Sequence, residues 1–249
     1  MMRRIFLIFR FKRFIASVFA VLFCFSAVLL VISDEEMDVA VSTVAAEDNR
    51  PTVIIDAGHG GVDGGTQSSD GTLEKDINLQ ISFKLKSLLD FLGYNTVMLR
   101  DKDELIHSEG CSSIREKKVS DQKNRLSIVK EHSNYIYVSI HQNYFTEEKY
   151  KGAQVFYSPN NRLSEALAQN IQNSLVALIQ NDNTRKIKKT GSEIFILKNI
   201  EGPAVMVECG FMSNKKESEL LKDEDYQKKI ALAIINGIDK YYLQYREEI

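Results

Sequence analysis

His59 lies in the segment Asp56-Ala57-Gly58-His59-Gly60-Gly61, directly after the apolar run Val53-Ile54-Ile55. A run that stops at Asp56 and meets six glycines between Gly58 and Gly71 cannot continue as a buried element. The histidine is therefore expected on an irregular turn at the carboxyl end of a strand, where open α/β sheets build their sites. An imidazole in that place can bind a metal or carry a proton. A glycine-rich turn with an incidental histidine is the competing reading, and partners elsewhere in the chain decide between the two.

Two further strand ends supply such partners. The β-branched and aromatic run Tyr135-Ile136-Tyr137-Val138-Ser139-Ile140 reads as a buried strand and delivers His141, followed by Gln142 and Asn143. Ala204-Val205-Met206-Val207 likewise delivers Glu208. A carboxylate ending an apolar strand is costly to bury unless it is paired, hydrogen-bonded or bound to metal, so Glu208 is either functional or held by a cation. Glu74, in Leu73-Glu74-Lys75-Asp76, stands at the mouth of an expected helix, where a glutamate also serves as a partner for the helix dipole.

His59, Glu74 and His141 match in type the set of two histidines and a carboxylate with which catalytic zinc keeps its fourth position open. Neutral imidazoles with one carboxylate leave net positive charge to polarise a carbonyl and acidify water. Glu208 is then free for proton transfer. The spacing is not a compact HExxH signature, so the expectation rests on separate strand ends converging in a parallel sheet. Asn143 and Arg125 are secondary candidates for substrate binding. Asn143 could also support the ligands, and Arg125, on the helix before the His141 strand, could also be a structural ion-pair partner.

The strings Ile55-Asp56-Ala57-Gly58-His59-Gly60-Gly61-Val62-Asp63-Gly64-Gly65, Leu73-Glu74-Lys75-Asp76, Val138-Ser139-Ile140-His141-Gln142-Asn143 and Val207-Glu208-Cys209-Gly210-Phe211-Met212-Ser213-Asn214 resemble, in order, the zinc-dependent N-acetylmuramoyl-L-alanine amidases of bacterial cell walls. The resemblance implies that His59, Glu74 and His141 bind Zn2+ and that Glu208 is the catalytic glutamate. It also implies that the bond cut joins the lactyl group of muramic acid to L-alanine in peptidoglycan. The glycines around His59 are then expected to leave room for a glycan-peptide. Ser108-Glu109-Gly110, residues 115–121, Gly152-Ala153-Gln154-Val155-Phe156-Tyr157 and Asn183-Thr184-Arg185-Lys186 are similar to the germination-specific amidases of spore-forming bacteria. That likeness implies action on spore cortex before a separate deacetylase forms muramic-δ-lactam. Gln142 stands where many relatives carry a small residue, and a change to the groove floor is expected there; Cys209 falls where the family varies. A non-catalytic peptidoglycan-binding protein on the same fold stays open, although it would be expected to lack one of the four residues. A zinc carboxypeptidase, with a similar ligand set, stays open too.

The elements that must position these residues alternate. Residues 75–92 carry Ile77, Ile81, Leu85, Leu88, Leu89 and Leu92 at helical spacing and stop at Gly93. A strand at 96–99, a polar loop at 101–114 and a helix at 115–131 lead into the His141 strand. Strand 153–157, helix 162–180, strands 192–197 and 204–208 and a helix at 225–245 follow. This pattern predicts a single α/β domain with a largely parallel, mixed central sheet flanked by helices. His107, in the polar loop, and His132, at a helix end, lack the strand-end placement and read as surface or capping residues.

The chain of 249 residues shows no internal repeat. Arg3, Arg4, Arg10, Lys12 and Arg13 precede an uncharged run at 14–32, close to the roughly 20 residues that span a bilayer. Asp34, Glu35, Glu36 and Asp38 follow it, which places the N-terminus inside and the remainder outside. The expected plan is a basic cytoplasmic segment at 1–13, a transmembrane signal-anchor at 14–32, an acidic linker at 33–50 and a zinc amidase catalytic domain at 51–249. Localisation is then a single-pass cell-membrane protein with its catalytic domain on the extracytoplasmic side. A cleaved signal peptide would have an apolar region of only about 7–15 residues, and the small-residue stretch Val44-Ala45-Ala46 lies too far downstream for one.

Residues 1–50 hold six basic and six acidic residues of the chain's 32 and 34, which leaves 26 and 28 beyond them. That balance gives no field for nucleic acid. The local run Arg185, Lys186, Lys188 and Lys189 is a solvated loop or a contact for anionic wall polymer. No wall-binding repeats accompany the domain, so placement is expected from the anchor or from an unidentified protein partner that localises or activates it. Cys24, Cys111 and Cys209 show neither a disulfide framework nor metal-ligand spacing.

Overall fold

The computed structural model describes residues 50–248. The expected membrane span at 14–32 and residues 33–49 of the linker lie outside the described residues. Among the described residues no helix is long and apolar enough to cross a membrane.

The strands are β1 (Thr52–Ala57), β2 (Thr96–Met98), β3 (Tyr135–Asn143), β4 (Gln154–Tyr157), β5 (Lys188–Lys189) and β6 (Ala204–Phe211). They form one sheet in the order β2-β1-β3-β6-β4-β5. The first four in that order run parallel, whereas β4 is antiparallel to β6 and parallel to β5. In β1, Val53 and Ile55 turn to one face and Ile54 to the other, all fully buried, as the two-residue period of a strand between two layers requires.

The helices are α1 (Glu74–Phe91), α2 (Ile114–Lys130), α3 (Leu163–Leu178), α4 (Phe195–Asn199), α5 (Lys215–Lys222) and α6 (Glu224–Tyr245). Ile77, Ile81, Leu85 and Leu89 of α1 recur every four residues and form one buried stripe, each contributing roughly 1.5–3 kcal/mol by leaving water. Gly93, with φ at +80°, ends the helix, and Tyr94 N–H returns to the Leu89 carbonyl. With α3 and α6, α1 covers the face that carries Val53, Ile55, Val138 and Val207. α2 and α4 cover the other, against Ile54, Tyr137 and Met206. The result is a three-layer α/β domain.

α2 starts in a capping box between Ser113 and Glu116. It buries an ion pair, Asp121 and Arg125, along with Leu126 and Val129. One expected element is corrected: residues 192–197 do not form a strand. Phe195–Asn199 is a short helix that sets Ile196, Leu197 and Ile200 against Leu126, Val129 and Met206, while the edge strand β5 lies earlier, at Lys188–Lys189. A short apolar run carries no period that separates a strand from a buried helical turn.

Candidate active site

The parallel register sets the site. Ala57 pairs with Ile140, and His141 pairs with Glu208, so β1, β3 and β6 end together. The chain leaves β1 at Gly58, loops through His59 and returns at Glu74, the first residue of α1. His59 is the one non-glycine residue with positive φ among the described residues, at +64°. That conformation costs about 1–3 kcal/mol and persists only where the surroundings enforce it. Here Arg125 Nη2 donates to the His59 carbonyl at 2.9 Å, Gly60 and Asp63 exchange two backbone bonds at 2.9 Å, and His59 Nδ1 meets Asp63 Oδ2 at 2.9 Å.

Those contacts turn Nε2 of His59 toward Glu74 Oε2, 3.3 Å away, while His141 Nδ1 lies 3.0 Å from Glu74 Oε1. The ligand atoms of His59, Glu74 and His141 all lie within 4.8 Å of one another. Glu74 is 2% exposed and the histidines 23% and 20%, so the carboxylate forms the floor and the imidazoles open to solvent. Both Glu74 oxygens are aimed by the frame: Thr66 N–H donates to Oε2 at 2.9 Å, and Gln142 N–H and Asn78 Nδ2 donate to Oε1 at 3.0 and 3.2 Å.

The donor set fits zinc: two imidazoles and one oriented carboxylate with no thiolate. The frame also makes way for the three ligand side chains. A Cβ on Gly65 would run into Glu74 Oε2 and His59, and one on Gly58 would run into the His141 ring. The glycines expected to admit substrate thus make room for the ligands themselves. Burial opposes a charge on His59, but hydrogen bonds to Asp63 and Glu74 outweigh it and raise the imidazole to about 9. Glu74, despite its burial, is held well below the usual carboxylate range by the two histidines. The pocket is thus arranged around positive charge.

Glu208 stands beside this cluster on β6. The residue is half-buried, yet its Oε2 is sheltered from solvent and has no hydrogen-bond partner among the described residues. Burial, aided by the Glu74 charge, pushes its carboxyl up to about 7 against the opposing pull of His141, His59 and Arg185. A carboxyl tuned there can both accept and return a proton near neutral pH.

The secondary candidates separate. Asn143 ends β3, where the register with β6 shifts, and its Oδ1 accepts from Tyr144 N–H at 2.8 Å. Arg125 is an ion-pair hub: its Nε donates to Asp121 at 2.7 Å, Nη1 to Asp56 and to the Ala57 carbonyl, and Nη2 to the His59 carbonyl. Its side chain is 3% exposed. Gln142, expected at the groove floor, is buried and donates from Nε2 to Asn78 Oδ1 at 3.2 Å, behind the site. His107 and His132 stand outside the metal-ligand cluster. Cys111 and Cys209 are free thiols.

Asp56 and Asp63 were not among the residues expected at the site, although signals for both exist. Asp56 ends β1 as a buried carboxylate, the same pattern that marked Glu208, and is bound by Arg125 and Tyr137. Asp63 follows His59 by four residues, fixes its tautomer and is itself held by Lys118 at 2.9 Å. The hub yields a prediction. Arg125→Met should destabilise the domain by about 3–5 kcal/mol in chemical denaturation, because Asp56 and Asp121 would be left buried without their cation. An unchanged midpoint would show that the hub does not hold the His59 loop.

A family model described as N-acetylmuramoyl-L-alanine amidase matches residues 53–240. The chain is 33% identical over 192 residues to the germination-specific N-acetylmuramoyl-L-alanine amidase of Bacillus subtilis, covering 77% of this chain and 80% of that protein. It is 41% identical to the CwlD amidase from Clostridioides difficile, solved in complex with the GerS lipoprotein, with a TM-score of 0.75 over 78% of this chain and 100% of that one. The amidase AmiC2 of Nostoc punctiforme shares 30% identity and a TM-score of 0.66 over 78% and 97%.

Proposed function

This chain belongs to the N-acetylmuramoyl-L-alanine amidase family and is an amidase of the cell wall, and on that premise we propose that it is a zinc hydrolase that strips peptides from spore cortex glycan. The observation that carries the zinc chemistry is the unpartnered Oε2 of Glu208 beside His59, Glu74 and His141. His59, Glu74 and His141 would hold the metal. Zinc, when bound, supplies a Lewis acid that polarises the scissile carbonyl and acidifies water. Glu208 takes the proton of the attacking water and delivers it to the L-alanine nitrogen as the amide breaks. Asp63 keeps His59 in one tautomer, and Thr66 and Gln142 keep the Glu74 oxygens aimed.

The spore role is supported by the likeness to the germination-specific enzyme of Bacillus subtilis and to CwlD. Because CwlD was solved with a lipoprotein, a lipoprotein is the kind of partner we assign to this chain. We further read 14–32 as a membrane anchor and 33–50 as its linker.

Mass spectrometry of sacculi digested with the zinc-loaded protein tests the activity. Intact stem peptides and peptide-free muramic acid are expected. Shortened peptides would mean a carboxypeptidase, and unchanged sacculi a binding protein. In cells, deletion should deplete cortex muramic-δ-lactam; normal content would overturn the sporulation role and leave the amidase chemistry standing.

A further inference from the structure

The basic run at 185–189 divides in the structure. Lys186, Lys188 and Lys189 are exposed, whereas Arg185 is half-buried. Its backbone is pinned by Asn183, whose Oδ1 accepts from Arg185 N–H at 2.9 Å and whose Nδ2 donates to the Ala153 carbonyl at 2.8 Å. The guanidinium stacks over the Phe211 ring, 4.9 Å from its centroid, and Nη2 donates to Gln154 Oε1 at 2.6 Å. Gln154 is the register partner of Glu208 across β4 and β6, so the two side chains share a face of the sheet. β6 advances three residues, Glu208 to Phe211, while β3 advances two, His141 to Asn143. That extra residue brings Phe211 to the same face as Glu208. Arg185 is thereby seated one side chain away from the catalytic glutamate.

No carboxylate of the described residues is in direct contact with Arg185, although its charge acts through space on Glu208 and Glu217. Among the described residues Arg185 makes no ion pair, its guanidinium makes one hydrogen bond, and its Nε is sheltered from solvent without a partner. A rigid, stacked guanidinium with spare donors matches the geometry of a carboxylate. In the substrate the carboxyl of muramic acid is consumed in the scissile amide, so a free carboxylate belongs to the peptide. We propose that Arg185 is an anion subsite that binds a carboxylate on the peptide side of the scissile bond. Its distance from Glu208, roughly one strand spacing of 5 Å plus a side chain, selects the residue that follows L-alanine. The subsite rests on the amidase reading of the same cleft.

Two muramoyl dipeptides that end at the residue after L-alanine, one with its α-carboxylate free and one with it converted to the carboxamide, test the proposal on the zinc-loaded protein. The free acid should be preferred about ten- to hundredfold in kcat/KM, the range of a charge-assisted contact. Arg185→Gln should bring the two substrates close to parity, and Arg185→Lys should keep part of the preference. Equal cleavage of both by the unaltered enzyme, or a preference that survives Arg185→Gln, would overturn the subsite alone. An enzyme that cuts neither would overturn the amidase reading and the subsite with it.

Discussion

Glu208→Gln is expected to keep its metal and lose a hundred- to ten-thousand-fold in muropeptide hydrolysis, the contribution typical of a positioned general acid-base group. The amide preserves the shape of the carboxyl but cannot accept the proton of water. Because Oε2 has no hydrogen-bond partner among the described residues, the replacement breaks no bond to that atom, and the thermal midpoint should change little. Peptide release, metal content and melting, measured on one preparation, separate the outcomes. A fully active variant would remove Glu208 from the mechanism, while a variant that lost its metal would make the glutamate part of the binding set.

Gly58→Ala should abolish activity by a different route. An alanine Cβ at this position would overlap the His141 imidazole. The backbone cannot yield, because Gly58 N–H donates to the Ile140 carbonyl at 3.1 Å and its own carbonyl accepts from Asn78 Nδ2 at 3.1 Å and Arg100 Nη2 at 3.0 Å. His141 must therefore move, and metal affinity should fall by at least about 10–100-fold, as it does when ligand orientation is lost. Competition against a chelator measures it. Gly110→Ala is the contrast: its Cβ would meet nothing within 4 Å, so the turn is strained by its φ of +85° but the metal stays. Equal metal affinity in the two variants would show that His141 tolerates displacement.

The strand ends were legible because a buried strand leaves an unmistakable run of apolar residues, and a histidine or glutamate that terminates one has few reasons to be there. His59, His141 and Glu208 were found that way. Glu74 was harder, since a helix-start glutamate is usual for reasons of dipole alone. Asp56 escaped notice because its partner, Arg125, lies 69 residues away, and a pairing across that separation has no local pattern. The helix at Phe195–Asn199 was missed because a few apolar residues show no period. Glycine was the residue most easily misread. A flexible turn after a strand suggests open space, but at Gly58 and Gly65 the missing Cβ is volume already filled by ligands.

By itself the sequence determined the alternation of strands and helices, the apolar faces and the chemical types at the strand ends, since periodicity and residue chemistry are local properties. Only the tertiary structure decided that those ends meet. Parallel register sets His141 level with Glu208, and loop closure swings His59 within 3.3 Å of Glu74. The same folding gave Arg125 to the scaffold and left Arg185 beside the site with no carboxylate in direct contact among the described residues. These outcomes depend on which distant groups share a buried volume, where an unpaired charge is costly and a paired one is held rigid.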